Sequence, residues 1–193
     1  MKRRPPAQNS RPRLEAGFFD RPADVVARDL LGKALVRRID GRERAHIVSE
    51  TEAYLGQHDL ACHAARGRTR RTEVMFGPPG TLYIYLVYGL HWMLNVDSGP
   101  VGFPAAVLIR SAGEFTGPGR LARALTVTGL LNGQTAQAQT GLWFEDRGGP
   151  NGRIITTPRI GVAYAGPLWS GRRLRFVLIP ESLTGTCGAA SGC

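Results

Sequence analysis

Residues 48–63, VSETEAYLGQHDLACH, and residues 80–95, GTLYIYLVYGLHWMLN, hold most of the chemistry-bearing side chains of this chain. The first gathers carboxylates, a tyrosine and a histidine, and the second is an aromatic ribbon interrupted internally only by Gly89. Between them lies the cluster RGRTRR, Arg66 to Arg71. That order describes a polar pocket beside a surface suited to a polyanion, with the remaining residues as scaffold.

Side chains alternate along a strand, so RAHIVSETEAY places Val48, Glu50, Glu52 and Tyr54 on one face and Ile47, Ser49, Thr51 and Ala53 on the other. Two carboxylates and a phenol are costly to bury together unless their face lines a wet cleft; the alternative is a solvated face with an arginine partner. HDLACHA reads as a short helical turn with Asp59 and His63 four apart on one side, and His63 is either a pocket residue or a satisfied structural one. Arg66, Arg68, Arg70 and Arg71 sit in a long Gly/Pro-rich connection of the kind that is commonly functional, either as DNA phosphate contacts or as solvated charges. In TLYIYLVYG, Leu82, Ile84, Leu86 and Tyr88 alternate against Thr81, Tyr83, Tyr85 and Val87. Gly89 permits a sharp bend that sets Tyr88 at a protruding tip, useful as a wedge between bases, while Tyr83 and Trp92 read as core filling.

Upstream, PADVVARDLL predicts a helix with Pro22 in its first turn, Val25, Val26, Leu30 and Leu31 on one face, and Gly32 as its stop. KALVRRI follows as a strand, and Asp40-Gly41 is a hairpin signal. Downstream, FPAAVLIRSA, LWFED and RRLRFVLIP read as strands, PRIGVAY as a strand or an extended edge, and GPGRLARALTVTGLLNG as a helix. The fold class expected is mixed α/β (α+β): a single domain over residues 17–182 with a curved antiparallel sheet, surrounding helices and a protruding hairpin. A disordered basic arm, residues 1–16, and a flexible tail, residues 183–193, would flank it.

With 193 residues, 42% of them hydrophobic, one substantial core is within reach. The net charge is +10, and all of the 25 cationic residues except Lys2 and Lys33 are arginines, whose planar fork suits phosphate oxygens. The apolar runs fall short of the roughly 20 residues a membrane helix needs, and a strongly basic amphipathic helix for a membrane surface is not visible. Cys62, Cys187 and Cys193 match no zinc or redox spacing. The expectation is therefore a protein without metal or other cofactor in a reduced compartment, a bacterial cytoplasm with its nucleoid, or a nucleus if eukaryotic.

SETEAY, FGPPGTLYIYLVYGLHWMLNV, LLNGQ and RIGV, in that order, resemble the methylpurine (3-methyladenine, or alkyladenine) DNA glycosylase family, and the likeness runs from FFDRPADVVARDLLGKALV to LRFVLIPES. The resemblance implies a monomer that acts on double-stranded DNA containing damaged purines, with the hairpin entering the minor groove. It implies that Glu52 activates water, that Arg110 holds that water and that the backbone carbonyl of Ile160 is its third contact. It further implies that Tyr54, His63 and Tyr85 surround the extruded base, that Asn95 screens the purine edge, and that Tyr88 fills the vacancy in the helix. The substrates implied are 3-methyladenine, 7-methylguanine, hypoxanthine and ethenoadenine, released by hydrolysis to leave an abasic site for base excision repair. Two readings from other classes stand beside it. One is a non-catalytic damaged-DNA-binding protein, and the other a metal-dependent nuclease using Glu50, Glu52 and Asp59.

Overall fold

The computed structural model describes residues 12–148 and 152–181. Strand β1 (Ala34–Ile39) reverses through Asp40 and Gly41, both at positive φ (48° and 74°), into β2 (Arg42–Tyr54). That is the two-residue turn that matches the twist of paired strands. At 13 residues β2 is long enough to serve two neighbourhoods. Its first half pairs with β1, and its second half pairs on one side with β5 (Ala105–Ala112) and on the other with β8 (Arg175–Pro180). β3 (Leu82–Val87), β4 (His91–Ser98), β6 (Leu142–Glu145) and β7 (Gly152–Thr157) complete an eight-stranded antiparallel sheet. Its order is β3-β4-β5-β2-β1-β6, with β8 branching from β2 and carrying β7.

One face of the sheet packs the main core against α1 (Ala16–Phe19), α2 (Ala23–Asp29) and α3 (Pro118–Ala124). Leu82, Ile84, Leu94, Val107 and Ile109 supply the sheet side, and Phe19, Val26, Ala27, Leu30, Leu121 and Leu125 the helix side. α4 (Gly166–Ser170) closes a smaller cluster in which Trp169 lies with Ala61 and Val162. Among the described residues no helix is long and apolar enough to cross a membrane.

Several expectations change on contact with the fold. Val25 does not share the buried face of α2 and is 40% exposed; the buried positions there are Ala23, Val26 and Ala27, followed by Leu30, the helical spacing of one stripe. The third helix ends at Ala124, short of the predicted run, because Thr126 takes a positive φ of 50° and the Thr128 hydroxyl instead starts a separate turn at Gly129–Leu131. PRIGVAY forms no strand: Gly161 turns the chain at φ 77°, and the Ile160 N–H is spent on a carboxylate. The strand in that region is β7, which sequence reasoning passed over, as it did α4. Residues 12–14, assigned above to the arm, run along the edge of β6, with the Leu14 N–H donating to the Phe144 carbonyl and Arg13 bridging Glu145. The rest of the arm, residues 1–11, and the tail from 182 onward lie outside the described residues.

The revised helix face is testable by urea denaturation. Leu30→Ala empties a fully buried site and is expected to cost about 2–5 kcal/mol. Val25→Ala on the solvent side should stay within about 0.5 kcal/mol of the parent; equal losses at the two positions would contradict the assigned face.

Candidate active site

Two compensating bulges build the site. Between the pairs Val48↔Ala112 and Glu50↔Ser111 an extra residue, Ser49, enters β2; between Glu50↔Ser111 and Thr51↔Ile109 an extra residue, Arg110, enters β5. The alternation predicted for β2 is corrected accordingly. Val48 packs in the main core on the same side as Ala53, and the Thr51 hydroxyl donates to the Ala27 carbonyl there, while Glu50, Glu52 and Tyr54 face the opposite way. Bulges commonly re-aim side chains in this manner, and here the re-aimed residues are Glu50 and Arg110.

Glu52 is fully buried, and the polar groups that meet its carboxylate are donors. Its Oε1 accepts the Ile160 N–H at 2.8 Å and lies 3.2 Å from Arg110 Nη1, and its Oε2 accepts the Tyr54 hydroxyl at 2.9 Å. Burial raises the carboxyl above its ordinary range, opposed by Arg110, the Ile160 N–H, Tyr54 and Arg159. Arg110 is aimed by Glu50, which accepts Arg110 Nε at 2.7 Å, Arg175 Nε at 2.6 Å and the Ser111 hydroxyl at 2.7 Å. For Glu50 burial is outweighed by those three donors, and its carboxyl is held below the usual range. On the far side Arg159 chelates Asp59, donates to the Ala53 carbonyl at 2.9 Å and stacks 4.8 Å from the Tyr54 ring centre. Since Ile160 follows it in the chain, Arg159 fixes the amide that reaches Glu52. Three carboxylates thus face three arginines, a set that balances when Glu52 is ionised.

Above this floor opens a cleft of about 500 Å³, well within the range of small-molecule sites. Tyr54, His63, Tyr83, Tyr85, Asn95 and Arg110 contribute to its walls. The His63 ring meets Tyr85 edge-on at 4.6 Å between centroids, and Tyr83 lies 5.2 Å from Tyr85. His63 Nδ1 shares a 2.9 Å hydrogen bond with the Tyr83 hydroxyl. Burial, with Arg71 nearby, lowers the imidazole to about 4, so it is neutral at physiological pH. Burial pushes the Tyr83 phenol up to about 12 and raises those of Tyr54 and Tyr85 too, so all three rings stay neutral. Asn95 Nδ2 donates to the Tyr83 carbonyl at 3.0 Å, and no donor among the described residues reaches its Oδ1.

The β3–β4 hairpin ends in Tyr88 and Gly89 at φ 51° and 69°, with the Leu90 N–H closing on the Val87 carbonyl at 3.0 Å. Tyr88 is 91% exposed at this tip. A non-glycine residue in that conformation carries strain of order 1 kcal/mol or more.

The cleft therefore gathers Arg110, Tyr54, His63, Tyr85, Asn95, Tyr88, Arg71 and Ile160 from the sequence-derived set, with Glu52 beneath. Arg66, Arg68 and Arg70 stay outside it; Arg68 pairs with Glu73 at 3.0 Å and lies over Phe76. Arg71 instead lies over the Tyr85 ring at 5.0 Å. Asp59 and His63 share no helix face, because Asp59 turns inward to Arg159 and to the N–H groups of Leu55 and Ala61, while His63 opens a separate turn. Ile160 meets Glu52 through its N–H, a contact not foreseen. Tyr83 fills a buried cluster, as read, but also lines the cleft, a second role its alternation with Tyr85 signalled; sequence reasoning missed Tyr164, which lines the cleft and donates to the Ala61 carbonyl at 2.8 Å. Trp92, also read as core, does pack against the main core.

Fold and cleft together define a mixed α/β domain carrying an aromatic-walled site over a buried carboxylate. Residues 17–116 and 113–181 match the family model for methylpurine-DNA glycosylase. A relative from Methanocella arvoryzae is 45% identical over 80% of this chain and 87% of its own length, and one from Anaeromyxobacter sp. (strain Fw109-5) is 46% identical over 86% and 89%. Another from Legionella pneumophila (strain Lens) is 40% identical over 86% and 94%; all three are named as candidate 3-methyladenine DNA glycosylases. The chain belongs to the methylpurine-DNA glycosylase family, DNA glycosylases that act on alkylated purines.

The His63 environment has a measurable consequence. Its folded pKa of about 4 lies below the ordinary 6.5, so the unfolded chain takes up the proton first. The neutral ring's contribution to stability is complete above pH 6.5 and is lost as pH falls from there toward 4. An NMR titration should place the His63 midpoint near 4; a midpoint near 6.5 would contradict the buried arrangement.

Proposed function

We propose that this protein is a monofunctional DNA glycosylase that hydrolyses the N-glycosidic bond of alkylated or deaminated purines, among them 3-methyladenine, 7-methylguanine, hypoxanthine and ethenoadenine, in double-stranded DNA. The observation that carries the reading is Glu52, a buried carboxylate held by donors under an aromatic cleft. A stacked base cannot be reached in a duplex, so the nucleotide must rotate out at a cost of a few kcal/mol. The exposed, strained Tyr88 would enter the vacated space. Tyr54, His63 and Tyr85 offer the extruded purine π faces, worth about 1–3 kcal/mol per stacked base, and a ring made cationic by alkylation gains further on them.

As the C1′–N9 bond breaks, its electron pair leaves with the base and the sugar becomes oxocarbenium-like. Ionised Glu52 stabilises that charge and takes the proton of the water that attacks C1′. Arg110, with the Ile160 carbonyl, holds that water. An alkylated, cationic purine departs as a neutral molecule, whereas hypoxanthine needs a hydrogen bond or proton at N7. Asn95 screens the purine edge. With no lysine in the cleft among the described residues, water and not a Schiff base is the nucleophile, and the product is an abasic site with intact strands.

The test is incubation in chelator with end-labelled duplexes carrying hypoxanthine, 3-methyladenine or no lesion. The parent should release free base and create alkali-labile sites, and Glu52→Gln should lose that activity by about 10²–10⁴-fold while still binding lesion DNA. Full activity in Glu52→Gln would remove Glu52 from the chemistry. Binding without base release by the parent would make it a damage-recognition protein, and metal-dependent strand cuts a nuclease.

A further inference from the structure

A second cleft of about 840 Å³ opens along the β1–β2 hairpin and is lined by Arg37, Ile39, Arg42, Arg44, His46 and the end of α3. Arg37 stands directly across from Arg44, and Ile39 across from Arg42. Like charges in directly opposed positions destabilise a strand pair. On the other face of the same hairpin the opposed pair is Arg38 and Glu43, joined at 2.6 Å. One face is internally neutralised and the other is not. Arg37 is spent on the carbonyls of Leu125 and Gly141, at 2.8 and 2.9 Å, but Arg42 and Arg44 are exposed and their side chains have no hydrogen-bond or ion-pair partner among the described residues. The acids present are Asp40 and Glu114, and Glu114 is turned toward His46 at 3.6 Å.

This cleft is joined to the first by α3. Pro118, at its start, lines the aromatic cleft, and Ala124, at its end, lines the second one. Arg120 and Arg123, three apart on the solvent side of α3, are likewise without side-chain partners among the described residues. Four unspent guanidinium groups therefore stand on two elements, α3, which starts at the aromatic cleft and ends at the second, and the β1–β2 hairpin, which lines the second, and together they outline a track.

We propose that this track, with Arg42 and Arg44 at its far end, binds the phosphate backbone of the duplex flanking the nucleotide held in the aromatic cleft. The inference rests on the glycosylase reading above. Guanidinium groups unneutralised by the protein are neutralised by phosphates, and the counterions released drive binding. The reach is set by β2: eight residues separate Arg44 from Glu52, at most roughly 26 Å of strand, or about eight base pairs at about 3.4 Å each.

The experiment uses the full chain and lesion duplexes whose flank on each side in turn is cut from about 12 to about 4 base pairs, a range that brackets that reach. For the parent, lengthening one particular flank should tighten binding, and for Arg42→Ser/Arg44→Ser it should not. On the long duplex the log-affinity against log-salt slope of the double variant should be shallower by about 1.8, two phosphates at about 0.9 each, with the single-turnover rate at saturating enzyme unchanged. A variant with the parent's slope and length dependence would overturn the track while leaving the glycosylase reading intact. A parent that neither binds nor turns over lesion DNA would instead remove the reading on which the track rests.

Discussion

The site depends on keeping one carboxylate, Glu52, charged where it has no exposed surface. Left alone in an apolar interior, such a group neutralises itself rather than bear the loss of hydration. Here Arg110 and the Ile160 N–H meet one oxygen and the Tyr54 hydroxyl meets the other. None of these donors is free to wander. Glu50, itself held by Ser111 and Arg175, fixes Arg110, and Asp59 fixes Arg159 and through it Ile160. Burial still leaves the carboxyl raised, which suits the proposed role of a base that takes up a proton during reaction.

The paired bulges make that arrangement possible. A regular strand would carry Val48 on the face of Glu50 and Glu52, and would waste an apolar side chain on a polar cleft. With Ser49 and Arg110 inserted, the register on either side of the irregularity is conserved, so the core loses nothing while Arg110 swings between two glutamates. Strain is concentrated at the opposite end of the cleft, at Tyr88, where a positive φ holds an aromatic ring in solvent.

How much of this was legible follows from the range of each signal. The hairpins at Asp40-Gly41 and Tyr88-Gly89 rest on neighbours in sequence, and the aromatic face of β3 on simple alternation, so both were read correctly. Glu52, Tyr54, His63, Tyr85 and Asn95 were gathered through family resemblance; the cleft brings the last four together, and Glu52 lies beneath them on Tyr54. The position of Val48 was misjudged because the bulge at Ser49 is defined only by pairing with β5, which no local pattern in β2 announces. Asp59 and Arg159 are 100 residues apart, and no local pattern announces their pairing. β7 was passed over because Ile154 and Ile155 are adjacent and break any alternation, and α4 is too short for helical periodicity.

The measurement that bears most directly on this account is the pH dependence of single-turnover base release from a duplex carrying 7-methylguanine, whose cationic ring needs no acid to depart. The rate should fall as pH drops through a single ionisation lying above the ordinary carboxylate range, because burial raises the Glu52 carboxyl and protonation would remove both the proposed base and its negative charge. A rate that stays flat down to the pH at which an exposed glutamate titrates would contradict the claim that a buried, ionised Glu52 performs the chemistry.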